Sequence, residues 1–115
     1  MNVPGGQYIN AVMQNAATAT GNGTSIECTG GTRGAMTVLT LQVTGITTAT
    51  ITFEATIDGS NWVAVQVTNL NDGSESTTAT ANGLYRLTCL GLVSVRARIS
   101  AYTSGTSTVT GVLTA

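Results

Sequence analysis

The chain has 115 residues, a formal net charge of −1 and only 8% charged residues, with no lysine and no histidine, where soluble domains usually carry about 25%. That length suits one domain with one modest core, and the charge balance excludes the basic footprint of a nucleic-acid binder. No apolar run approaches the ~18 residues of a spanning helix, so no membrane partner is expected.

The first residues differ from the rest. Pro4-Gly5-Gly6 and Gly21-Asn22-Gly23 bracket a segment rich in Ala, Gln and Asn. Within it Tyr8–Val12 and Ile9–Met13 stand at i,i+4 spacing, which predicts a turn or two of amphipathic helix. A helix this short needs a surface to lie on. Tyr8, Ile9, Val12 and Met13 are therefore interface candidates on an extended N-terminal arm, residues 1–23, ahead of a domain spanning residues 24–115. The arm has neither a positive n-region nor a continuous apolar stretch, so it does not read as a secretory signal. Synthesis without export is the default expectation.

From Thr24 onward the pattern is that of strands. Ser25–Thr29 predicts a short strand, followed by a Gly30–Gly34 loop. Met36–Thr44 places Leu39, Leu41 and Val43 on one face. Gly45 and its neighbours predict a turn into Ala49–Ile57, where Ile51, Phe53, Ala55 and Ile57 alternate with Thr50, Thr52, Glu54 and Thr56. Strict period two makes one face dry and the other wet. Asp58-Gly59-Ser60-Asn61 supplies turn chemistry before a Trp62–Thr68 strand. Asn69–Ser74 predicts a loop, and Glu75–Ala81 a weak polar strand at an edge. Tyr85, Leu87 and Cys89 share a face of the next strand. In Val93–Tyr102, Val95, Ala97, Ile99 and Ala101 face in while Arg96, Arg98 and Ser100 face out. Thr103–Thr106 predicts a final turn into Ser107–Leu113.

Seven to eight strands with turn signals about every ten residues predict an all-β fold: a single antiparallel β-sandwich, jelly-roll or immunoglobulin-like. The strict immunoglobulin spacing fails, because Tyr85 precedes Cys89 by four positions rather than two. The expected core joins Phe53, Ile57, Trp62, Leu87, Val95 and Ile99. The chain holds 23 threonines, the β-branched polar residue that suits an exposed sheet face. Low charge with a mean hydropathy of +0.25 argues against disorder. It also suggests that other chains cover part of the surface.

Catalytic signals are missing. Without histidine, Ser-His-Asp and Cys-His machinery has no base, and no Walker loop or Cys-x-x-Cys occurs. Glu54 and Asp58 form the one carboxylate pair at strand spacing, a formal glycosidase arrangement, but a strand end more often carries solvated charge. Asn69–Glu75 has clustered oxygens that suit calcium and equally ordinary turn chemistry. No enzyme, metal or cofactor is expected. Cys28 and Cys89 read either as two small buried hydrophobes or as one disulfide pinning the start of the sandwich to a late strand, contributing about 3–5 kcal/mol in the chain-entropy model. Of the four cations, Arg86, Arg96 and Arg98 fall on neighbouring predicted strands. They read as a solvated face paired with Glu54 or as an interface, where arginine is enriched.

The blocks Phe53-Glu54-x-x-x-Asp58-Gly59-x-x-Trp62, Gly83-x-Tyr85, Val95-Arg96-x-Arg98 and Tyr102-Thr103-Ser104-Gly105-Thr106 resemble small virion accessory proteins of tailed bacteriophages. Such sequences occur in head decoration (cement) proteins and in tail-associated structural proteins. The resemblance implies a non-enzymatic structural protein, made in the host cytoplasm and seated on the virion capsid surface. Its partners would be the major capsid protein and itself, as a homo-oligomer and in the usual arrangement a trimer. The alternatives are a tail or neck component, or a carbohydrate- or receptor-binding module using an exposed Trp62 or Tyr102.

Overall fold

A computed structural model describes residues 8–28, 38–89 and 91–114, and for Tyr8 and Ile9 the backbone alone. The expected Gly30–Gly34 loop lies outside these residues. The described chain is all-β and antiparallel, with nine strands: β1 Tyr8–Ala17, β2 Ile26–Glu27, β3 Val38–Thr56, β4 Val63–Ala64, β5 Val67–Asn69, β6 Glu75–Ser76, β7 Thr78–Ala79, β8 Gly83–Thr88 and β9 Ser94–Thr114. They join in one hydrogen-bonded sheet of order β1-β9-β3-β8-β5-β6, with β2 attached to β9 and β4 and β7 to β3.

The sheet folds into a β-sandwich because its two long strands each serve both layers. In the first layer, the Val38–Val43 part of β3 pairs with β8 and with the Val109–Thr114 end of β9, which also carries β1. In the second, the Ala49–Thr56 part of β3 pairs with Ser94–Tyr102 of β9. There β4 and β7 lie on the far side of β3, and β2 with a Gly21–Ile99 bridge lies on the far side of β9.

The turns expected at Gly45 and at Thr103–Thr106 are instead bends inside continuous strands. The pairing slips register between Thr44 and Ile46 and again up to Ala49, and bulges of this kind let a strand change layers without leaving its partner. Gly45 (φ 79°) and Gly105 (φ 104°) meet at this corner. A Cβ on Gly45 would run into the Thr106 carbonyl, and one on Gly105 would stand 2.7 Å from the Thr47 nitrogen.

Side-chain alternation then builds the core. Leu39, Leu41, Val43, Tyr85, Leu87, Val109 and Leu113 of the first layer meet Ile51, Phe53, Ala55, Val95, Ala97 and Ile99 of the second. Phe53 and Tyr85 join the layers with ring centroids 5.7 Å apart. Two core expectations are corrected. Ile57 is 72% exposed, because the Thr56 hydroxyl accepts the Asp58 and Gly59 N–H groups and ends the alternation one residue early. Trp62 is half-buried and lies on the outer side of the second layer.

The helix expected around Tyr8–Met13 is a strand. Residues i and i+4 share a face in a strand as well as in a helix, and β9 offers an edge from Ser107 to Thr114 that satisfies the backbone of β1. A bulge at Met13 turns its side chain into the core above Gly111, where a Cβ would meet the Met13 sulfur at 2.8 Å. Gln14 follows, buried, its amide donating to the Ala97 carbonyl at 2.8 Å and the Gly21 carbonyl at 3.1 Å. This segment is thus built into the sandwich and does not stand clear of it.

Candidate functional site

The outer face of the second layer holds the most organised group of polar side chains. Period two along β3 turns Thr50, Thr52 and Glu54 outward, and the antiparallel register sets Arg96 opposite Glu54 and Arg98 opposite Thr52. Strand β4 pairs Ala64 with Glu54 and brings Trp62 over the group. Arg96 binds Glu54 Oε1 through Nε at 2.8 Å and Nη2 at 2.8 Å; Arg98 Nε approaches the same oxygen at 3.3 Å. The Arg96 guanidinium carbon sits 4.3 Å from the centre of the Trp62 ring. These four side chains cover one another, so Glu54 is only 8% exposed. Beside them the Thr52 and Ser100 hydroxyls are bonded at 2.8 Å.

This arrangement decides how the candidate residues group. Arg96 and Arg98 do share a face and do pair with Glu54. Arg86 does not join them: β8 runs beside the Val38–Val43 part of β3, and Arg86 is exposed opposite Thr40 and Thr68. Val12 is 50% exposed on β1, whereas Met13 is buried. The side chains of Tyr8 and Ile9 lie outside the described residues. Sequence reasoning missed Gln14, whose buried amide ties β1 to the other layer; its place next to Asn15, in a segment rich in polar amides, gave no signal that set it apart.

The remaining carboxylates serve their own loops. Asp58 accepts from the Ser60 and Asn61 N–H groups, the Asn61 amide and the Thr56 hydroxyl at 2.6–2.9 Å. The bonds from Asn61 first, then those from Ser60 and Thr56, hold its carboxyl well below the usual carboxylate range. Asp72 accepts from Ser74 N–H and Oγ at 2.9 and 2.7 Å, which likewise lowers its pKa. Asn69 Oδ1 likewise accepts from Asn71 N–H, so Asn69, Asp72 and Ser74 are engaged as turn chemistry. Among the described residues no group of three Cys, Asp or Glu side chains is placed to hold a metal.

Two shallow grooves have character. One, of about 280 Å³, runs along the strand corner between threonines 47, 48, 50, 80 and 103, with Tyr102 in its wall. The Tyr102 hydroxyl is engaged by the Gly105 carbonyl at 2.8 Å. The other, of about 250 Å³, lies at one end of the sandwich between Ile57, Val63, Val65 and Leu92. Val63 there is 66% exposed.

The XepA family model matches residues 7–113. The chain belongs to the XepA family. Among solved structures, the SPBc2 prophage-derived protein YomS has the same fold end to end, with a TM-score of 0.85, 21% identity, and coverage of 100% of this chain and 99% of that one. The PBSX exported protein XepA superposes with a TM-score of 0.87 and 14% identity; this chain is covered completely but spans only 40% of that one. No curated protein matches in sequence. YomS is by its own description prophage-derived, which is in keeping with the broader part of what residues 50–110 suggested. Head decoration as such is given by none of them.

Proposed function

We propose that this protein is a non-enzymatic structural component of a phage particle that decorates the head, bridging neighbouring major capsid subunits through its surfaces. The observation that supports this most is the employment of its reactive side chains. Cys28 and Cys89 are in the core, Glu54 is held by two arginines, and Asp58 and Asp72 cap their own loops. What the molecule offers outward is area: threonine-rich sheet faces and the apolar end at Ile57 and Val63. Interfaces of about 800 Å² per partner, repeated over a shell, stabilise it without chemistry. In this reading the copies also associate with one another, and sedimentation velocity reads their number.

Fractionating phage lysates on density gradients tests the proposal. The protein should travel with DNA-filled heads in fixed stoichiometry, and heads made without it should lose DNA at a lower temperature. Recovery with tails alone would move it to a tail or neck role. Recovery only in particle-free medium would remove decoration and favour the second reading, an exported phage protein, which rests on the likeness to XepA. A carbohydrate-binding role would centre on the Tyr102 groove, since Arg96 occupies one face of Trp62.

A further inference from the structure

We propose that Cys28 and Cys89 are a disulfide-forming pair, closed when the chain folds in the presence of a disulfide oxidant and sealed from redox chemistry once the sandwich is complete. The two lie 61 positions apart in sequence, and the topology brings them to one place. Strand β2 pairs with the start of β9, so Cys28 leaves it beside Val93 and donates its N–H to the Val93 carbonyl at 2.7 Å. Strand β8 delivers Cys89, whose carbonyl accepts from Leu92 N–H at 3.0 Å. That tight turn sets Val93, and with it Cys28, next to Cys89. Both side chains are completely buried in one core cluster, near enough for each thiol to shift the other's titration, and the Cys28 thiol donates to the Ile26 carbonyl at 3.9 Å. The surroundings are apolar core, which accommodates an uncharged disulfide as readily as two thiols.

The same burial governs when the bond can form. Desolvation first, then the neighbouring Cys89 thiol, pushes the Cys28 pKa up to about 12, and desolvation raises that of Cys89 as well. The thiolate is the nucleophile in exchange, so the folded, reduced pair has neither thiolate nor access. Closure belongs to the unfolded or partly folded chain. There one thiolate attacks the sulfur–sulfur bond of glutathione disulfide or a protein disulfide, expelling one thiol and forming a mixed disulfide. The second thiolate attacks the protein sulfur of that bond and expels the second thiol. Two protons and two electrons leave the cysteines, and one oxidant disulfide becomes two thiols. The redox state of the pair thereafter records the compartment in which the chain folded. None of this depends on the decoration reading.

The experiment refolds the full chain from denaturant in glutathione disulfide and glutathione. It compares that product with chain folded under reductant and only then given the same buffer. The refolded protein should lose both alkylatable thiols and yield a single Cys28–Cys89 peptide pair on non-reducing mapping. Its Tm should rise by about 10 °C or more, as expected for so long a closed loop. The double variant C28A/C89A should show no oxidant-dependent change. Protein folded first should keep both thiols for hours. Full recovery of both thiols after oxidative refolding, or cross-links only between chains, would overturn the pairing. Fast oxidation of the folded, reduced protein would overturn the sealing.

Discussion

The guanidinium of Arg96 is held over the ring of Trp62, its central carbon 4.3 Å from the ring centre. Its nitrogens also grip Glu54, so the stack fixes the charge and the charge fixes the stack. Arg96→Met keeps the stem and removes both links. It should destabilise the protein by about 2–4 kcal/mol, because it leaves a covered carboxylate with Arg98 alone. Arg96→Lys should fall between the two, as a point charge neither forks nor stacks as well. Trp62 is the only tryptophan, so its emission should shift to the red in Arg96→Met; unchanged emission and an unchanged Tm would contradict the coupling.

Phe53 and Ile57 share one strand pattern but not one environment. Phe53→Ala should cost about 3–5 kcal/mol, the range for emptying a buried aromatic site. Ile57→Ala should stay within about 0.5 kcal/mol. Denaturant unfolding of both variants reads the contrast directly, and equal losses would place Ile57 inside.

Gly45 and Gly59 both have positive φ, at 79° and 81°. Only Gly45 has backbone where a Cβ would go; Gly59 has nothing within 4 Å. Gly59→Ala should cost about 1–2 kcal/mol from the left-handed conformation alone. Gly45→Ala should cost about 3 kcal/mol or more, since the strand corner must move. Equal melting temperatures would mean that the corner is not tightly closed.

Asp58 makes acid stability a readout of one loop. Its folded pKa is depressed, so its contribution is fully present above the unfolded value of about 4. That contribution is lost as pH falls toward the folded pKa. Asp58→Asn should lower Tm near pH 6, and the gap to the unsubstituted protein should narrow between about pH 4 and pH 2. Two parallel Tm–pH curves would show that the carboxylate charge does not matter there.

Much of this could be read from the chain, for a plain reason. Where one face is buried and the other wet, a strand writes its register in period two, and Phe53, Val95, Ile99 and Leu87 point inward as that pattern requires. The pairing of Arg96 and Arg98 with Glu54 follows from the same alternation. Connectivity was less legible. Gly45 and Gly105 look like turn residues, because a left-handed glycine serves a hairpin and a strand corner equally. Two long bent strands therefore read as four. The spacing of Tyr8–Met13 fits helix and strand alike, and the partner that decides between them, the end of β9, lies about a hundred residues away. Arg86 stands apart from Arg96 and Arg98 for the same cause: β8 pairs with β3 and β5 and not with the strand that follows it.

The pairing of β3 with β9 also governs how the chain reaches its fold. Their closest approach in sequence, Thr56 with Ser94, spans 38 residues, and Val38 with Thr114 spans 76. The central ladder cannot begin as a hairpin. A large loop must close before any of its contacts form, which places folding in the slow, millisecond-to-second class of β proteins. Until that closure, the long strands expose edges with few charges, Glu54 on β3 and Arg96 and Arg98 on β9. The interval between synthesis and closure is when this chain is most open to aggregation.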